Sequence, residues 1–156
     1  MTKNFKDVCF FSIIFLIVDQ AIKFYISSKM VIHQSVVVIK DFLNITYVHN
    51  TGAAFSLFKD SRIFLIAIGV LAIILLITYL IKLKRIEEFD VFIYSLLLGG
   101  ILGNLIDRII HGYVIDYINL NLFGYNFPIF NFADMCIVIG AILIFIDTVK
   151  GDLWKK

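Results

Sequence analysis

Residues 63–81, IFLIAIGVLAIILLITYLI, carry no charged side chain. A helix needs about 20 mostly apolar residues to cross the hydrocarbon core of a bilayer. A helix apolar on every side has no face to turn toward water. This stretch therefore reads as a membrane span, and the rest of the chain must suit a lipid solvent. The composition agrees, with 61% of 156 residues hydrophobic and 17% charged. A soluble domain is closer to half apolar and a quarter charged, and one this small could not bury the excess. Disorder, a collagen-like repeat and a disulfide scaffold are excluded on the same figures. A net charge of +2 gives no footprint for nucleic acid.

Three further stretches approach span length. Residues 8–26 are interrupted by Asp19, Gln20 and Lys23. Residues 91–110 end in Asn104, Asp107 and Arg108, and residues 132–149 hold Asp134 near one end and Asp147 near the other. The chain reads as one integral membrane domain over 1–156. The first span follows Lys3 and Lys6 as a cleavable signal would, but Asp19 and Lys23 stand where small cleavage-site residues belong, so it is expected to be retained. Lys3 and Lys6, Lys82, Lys84 and Arg85, and Lys150, Lys155 and Lys156 flank the span ends on one side. The positive-inside rule places both termini and the 82–90 loop in the cytoplasm, with Lys29, Lys40 and Lys59 as minority charges outside.

Residues 27–62 and 111–131 are then outer segments. The β-branched and aromatic stretch 31–48 predicts two or three short strands with a turn near Lys40-Asp41. Residues 52–58 suit a short amphipathic helix at the interface. Residues 111–131 form a second excursion punctuated by Gly, Asn and the single proline. Cys9 and Cys136 lie in apolar runs without metal-ligand spacing and read as buried hydrophobes with no disulfide.

Charges inside spans are costly and need a reason. With the topology above, Asp19 and Lys23, then Asn104, Asp107 and Arg108, then Asp116 and Asp134 reach one level in the outer half of the bilayer. Asp147 alone falls at the cytoplasmic end. Asp19 and Lys23 are i, i+4 and read as a structural or orienting pair. Asn104, Asp107 and Arg108 share a helix face, although Asp107 and Arg108 suit interface anchors equally well. Gly99 and Gly103 form a small-xxx-small packing pattern. His33, His49 and His111 read as interface residues, and no metal site is expected.

Asp116 and Asp134 are harder to explain as structure, because Arg108 is the only cation near either in sequence. Two carboxylates in one site cannot both ionise cheaply. One then serves as general base toward water and the other as general acid, which hydrolyses a peptide bond without metal or covalent intermediate. Asp134, at the start of a span, would have its anion favoured by the helix dipole. Three rival readings are a serine–lysine peptidase built on Ser56 and Lys59, a proton-coupled transporter using Asp19 and Asp107, and a non-catalytic assembly subunit.

Five blocks stand in order along the chain: Asp19-Gln20-Ala21-Ile22-Lys23, Asn50-Thr51-Gly52-Ala53-Ala54-Phe55-Ser56, Gly103-Asn104-Leu105-Ile106-Asp107-Arg108, Gly112-Tyr113-Val114-Ile115-Asp116-Tyr117-Ile118 and Phe130-Asn131-Phe132-Ala133-Asp134. In these blocks the sequence resembles the bacterial lipoprotein signal peptidases, or signal peptidase II, from about Asp19 to Gly140. The resemblance implies a four-transmembrane-helix bundle with a small extracytoplasmic β-cradle and a short interfacial helix. It implies an aspartic endopeptidase of the bacterial plasma membrane with its site near the outer leaflet. No cofactor is expected; a monomer is the expectation, although the sequence leaves the oligomeric state open. The implied substrates are prolipoproteins carrying diacylglycerol on a cysteine, cut just before that cysteine. Asp116 and Asp134 match the catalytic dyad, and Asn50, Gly52, Asn104, Arg108, Asn131 and Ala133 match residues that line or support the site. Phe55 and Phe58 are expected to cover the bound peptide.

Overall fold

The computed structural model describes residues 3–52, 58, 60–83 and 85–154. Its elements run α1 (Lys3–Lys29), β1 (Ser35–Ile39), β2 (Leu43–Asn50), α2 (Arg62–Lys82), α3 (Glu88–Ile110), β3 (Val114–Leu122), β4 (Tyr125–Asn126) and α4 (Phe132–Trp154). Each of the four helices is long and apolar enough to cross a membrane, at the four places the sequence indicates. The expected interfacial helix over 52–58 falls mostly on residues outside those described, as do Phe55, Ser56 and Lys59.

Burial separates the helices by role. In α3, 61% of the span is buried, against 11% in α2. The centre of the bundle is therefore α3, while α2 presents Ile63, Leu71, Ile74 and Leu75 outward, as a scaffold helix in lipid would. Small residues let α3 serve two partners. A Cβ at Gly99 would lie 2.7 Å from Phe15 Cβ on α1, and one at Gly100 would lie 2.5 Å from the Ala133 carbonyl oxygen on α4. Neither approach is open to a residue with a side chain. At the end holding the α2–α3 connection, Phe5, Val8, Leu80, Ile86, Val91 and Tyr94 close a dry cluster.

The other end carries an antiparallel sheet in the order β1-β2-β3-β4. The β1–β2 hairpin turns at Asp41, whose φ of 59° is a conformation aspartate tolerates. Residues 111–131, read as a punctuated excursion, contribute more than turns. They form β3, which pairs along β2 from Leu43↔Leu120 to Asn50↔Val114. The sheet is thus shared between the segments 27–62 and 111–131. The pairing was hidden because only three residues separate β3 from α3, and its partner strand lies more than sixty residues earlier.

Register in this pair positions chemistry. Between Ile45 and Val48 the register shifts by one residue, so that Val48 faces Asp116. A one-residue slip turns every following side chain to the opposite face. With the shift in place, Val48, Asn50, Val114 and Asp116 line one concavity. Ile115 and Tyr117 alternate to the other face and pack with Ile26 of α1 and Tyr47.

Candidate active site

The start of α4 is the anchor of the site. A helix leaves its first four N–H groups without intrahelical partners, and here side chains satisfy all four. Asn131 and Asp134 form a reciprocal cap: Asp134 N–H donates to Asn131 Oδ1 at 2.9 Å, and Asn131 N–H donates to Asp134 Oδ2 at 3.2 Å. Phe132 N–H donates to the Tyr117 hydroxyl oxygen at 3.2 Å. Ala133 N–H donates to Asp19 Oδ1 at 3.0 Å. The cap therefore ties α4 to β3 and α1, and it fixes the Asp134 carboxylate at the helix N-terminus.

Asp116 is held by two amides. Asn131 Nδ2 donates to its Oδ1 at 2.6 Å, and Asn50 Nδ2 donates to its Oδ2 at 2.9 Å. Asn104 Nδ2 donates to Asp134 Oδ1 at 2.7 Å. Each of the four carboxylate oxygens thus accepts one N–H. Burial and the neighbouring Asp134 carboxylate push Asp116 up to about 7, against the pull of the Asn50 and Asn131 donors.

Beneath the two carboxylates lies a dry ionic knot. Lys23 Nζ is 2.8 Å from Asp19 Oδ2 and 3.0 Å from Asp107 Oδ2, and its side chain is only 2% exposed. The third Nζ hydrogen bond goes to Asn104 Oδ1 at 3.0 Å. Asp107 Oδ2 also accepts Ile115 N–H at 3.1 Å, which registers β3 against α3. Gln20 donates to Asp107 Oδ1 at 3.0 Å and to Asp19 Oδ2 at 3.2 Å. Asp107 is therefore a buried partner of Lys23 and no interface anchor. Asp19 and Asp107 are both paired with the buried Lys23, and neither lines the cavity that Asp116 and Asp134 share.

Arg108 sits half-buried at the cavity edge, where Nη2 donates to the Gly52 carbonyl oxygen at 3.0 Å. Gly52 N–H donates in turn to Asn50 Oδ1 at 2.9 Å. Arg108 also lies near enough to both Asp116 and Asp134 to feel their charge. Arg62, at the start of α2, donates to the Arg108 and Ile109 carbonyl oxygens and so closes the C-terminal end of α3.

The carboxylates open into a cavity of about 850 Å³. Asn50, Gly52, Asn104, Arg108, Asp116 and Asp134 line its polar part, and Phe127, Pro128, Phe130, Met135 and Val138 are part of its apolar wall. Met135 and Val138 belong to α4 and are exposed, so that wall continues onto the outer surface of the bundle. Asn131 and Ala133 are fully buried behind the cavity as supports. Asp147 is exposed on α4, thirteen residues along from Asp134.

Three contributors escaped the sequence reading. Gln20 was visible only as a polar interruption of the first span, and Tyr117 only as a member of a matched block. His49, read as an interface residue, borders the cavity. Its ring stacks on Tyr113 at 3.6 Å, and its Nε2 lies 2.7 Å from the Tyr47 hydroxyl. Burial, with His111 and His33 nearby, pushes His49 below its usual range.

Residues 11–150 match the family described as Signal peptidase (SPase) II. The chain belongs to the signal peptidase II family. Among curated relatives, the lipoprotein signal peptidase of Clostridium tetani is 41% identical over 138 residues, covering 88% of each chain. That of Staphylococcus aureus is 43% identical over 141 residues, covering 90% of this chain and 86% of the relative. Two bacterial membrane enzymes solved by the in meso method share the fold at 40% identity. Their TM-scores are 0.89 and 0.83, covering 96% and 92% of this chain and 91% and 92% of theirs. Membership in signal peptidase II makes the chain a peptidase embedded in a membrane.

Proposed function

We propose that this chain removes signal peptides from prolipoproteins whose cysteine carries diacylglycerol, cutting just before that cysteine with water activated by Asp116 and Asp134. The observation that carries the reading is the pairing of two carboxylates on one cavity, Asp116 buried and Asp134 part-buried, with each of their four oxygens accepting one N–H. Both termini face the cytoplasm in this reading, the site lies near the outer leaflet, and the enzyme works as a monomer.

Asp116, held at about 7, keeps its proton in a large fraction of molecules near neutral pH and serves as the acid. Asp134 holds the charge, supported by the N-terminus of α4 and by Arg108. Water gives a proton to Asp134 as its oxygen bonds the scissile carbonyl carbon, and Asp116 gives its proton to the carbonyl oxygen. The resulting gem-diol collapses as Asp134 passes its proton to the departing nitrogen and a diol hydroxyl returns its proton to Asp116. The C–N bond breaks, and the dyad ends as it began.

The apolar wall at Met135 and Val138 suits the acyl chains of the substrate, which stay in lipid while the peptide enters between β2 and α4. Cleavage of a diacylglyceryl-modified prolipoprotein by the purified chain tests the reading. Asp116→Asn and Asp134→Asn are each expected to lose at least about a thousandfold in rate with folding retained. Full activity in either would sink the dyad.

A further inference from the structure

Among the described residues, Lys23 is the buried cation beneath the carboxylates that this mechanism leaves without a task, and its bonding has a direction. An ammonium has three donors and no acceptor. Its three bonds go to Asp19, Asp107 and Asn104 Oδ1. We propose that Lys23 is a positioning residue for the dyad: as an obligate donor it fixes which way the Asn104 carboxamide points, and through Asn104 and Asn131 it aims the site's amide N–H groups at Asp134 and Asp116. The inference rests on the dyad reading and concerns what orients that dyad.

The chain of constraint is short. With its oxygen turned to Lys23, Asn104 must turn its NH2 the other way, where Asp134 Oδ1 lies at 2.7 Å. The same Asn104 oxygen accepts from Asn131 Nδ2 at 3.1 Å. That nitrogen then has one hydrogen left, and it goes to Asp116 Oδ1 at 2.6 Å. With its nitrogen so committed, Asn131 presents its oxygen to the Asp134 N–H and completes the α4 cap. Reversing the Asn104 amide would set its NH2 against the ammonium and the Asn131 NH2, and its oxygen against the Asp134 carboxylate. Each contact that now attracts would repel. A carboxamide has nearly the same shape either way round, so packing alone cannot choose; neighbours of one-sided chemistry can, and here Lys23, which only donates, acts together with the anionic Asp134, which only accepts. Asp19 and Asp107 hold Lys23 in place and balance its charge.

Lys23 also acts on the dyad through its charge, because it stabilises the Asp116 anion along with the Asn50 and Asn131 donors, against burial and Asp134. Arg108, on α3, is the other cation facing this pair. Loss of Lys23 therefore moves the titration of Asp116 upward, an effect that a purely structural contact would not produce.

The test is steady-state cleavage of a diacylglyceryl-modified prolipoprotein by the full chain purified in detergent micelles. Lys23→Met/Asp107→Asn removes the cation and one anion together, so the charge of the knot stays at one net negative. The expected result is a kcat about 10²–10³ lower, the loss usual for one misdirected donor, with KM little changed; Lys23→Met alone, which does change the charge, is expected to move the alkaline limb of the pH profile up as well. A folded double variant with wild-type kcat overturns the proposal while leaving the dyad intact, as does an unmoved limb in folded Lys23→Met. The dyad itself fails only if Asp116→Asn or Asp134→Asn stays active. Asn104→Asp decides the matter should the double variant not fold. It keeps an acceptor for Lys23 but has no N–H for Asp134, so it is expected to be inactive, and wild-type kcat in it overturns the proposal equally.

Discussion

Gly103→Ala is the smallest change that should disturb both the fold and the chemistry. A methyl at this position would lie 2.5 Å from Asp19 Oδ2, 3.0 Å from Asp19 Cγ and 3.3 Å from Ala133 Cβ. Ordinary contact begins near 3.4 Å, so the Asp19 carboxylate must retreat by about 0.9 Å (3.4 less 2.5) or α1 must move off α3. The oxygen displaced is the one 2.8 Å from Lys23, and the other oxygen of the same carboxylate holds the Ala133 N–H. Overpacking costs about 1–3 kcal/mol, and loosening a buried ion pair adds up to the 3–5 kcal/mol seen when one partner is lost. Alanine returns about 1 kcal/mol of helix propensity. The net expectation is a loss of about 2–4 kcal/mol, read by thermal unfolding of the purified protein in micelles.

The same retreat pulls on the start of α4, where Asp134 sits. A displacement near 1 Å at a reacting group costs about a hundredfold in rate, so cleavage should fall by that order even where the protein stays folded. Gly69→Ala is the control. It meets only the flexible Leu105 side chain, nearest at 3.3 Å, and should change stability by less than about 1 kcal/mol. A Gly103→Ala protein that melts with the wild type and cleaves at its rate would show that the α1–α3 gap accepts a methyl, and the packing argument would be refuted.

Three further outcomes follow. Asp116 must be protonated to act as the acid, so with its titration near 7 the rate should fall as pH rises through that value. Asn50→Ala removes a donor that favours the Asp116 anion. It should move the alkaline limb to higher pH by about one unit while lowering the rate, and a shift toward acid in a pH–rate series would contradict the assignment. Asp147→Asn touches an exposed residue well down α4 from the dyad and should leave cleavage within about twofold, which the same prolipoprotein assay reads directly.

Much of this molecule was legible before folding. The uncharged run over 63–81 dictates a lipid solvent, because no arrangement of so small a chain could hide it from water. The span count follows from length and polarity alone. The spacing of Asn104, Asp107 and Arg108 follows from helical period. Asp116 and Asp134 stood out because acids without nearby cations in an apolar chain need a cause.

Other features needed the tertiary structure, since they depend on contacts between distant segments. The β2–β3 pairing and its one-residue shift decide that Asn50 and Asp116 share a face. The close approach at Gly103 decides that Asp19 reaches Ala133. Asp19 and Lys23 read in sequence as a pair, which i, i+4 spacing on one helix is enough to suggest. That the same lysine also reaches Asp107 and Asn104 on α3 could not be read from spacing. A hydrogen bond is directional and acts over about 3 Å, so its partners are set by how the helices and sheet dock.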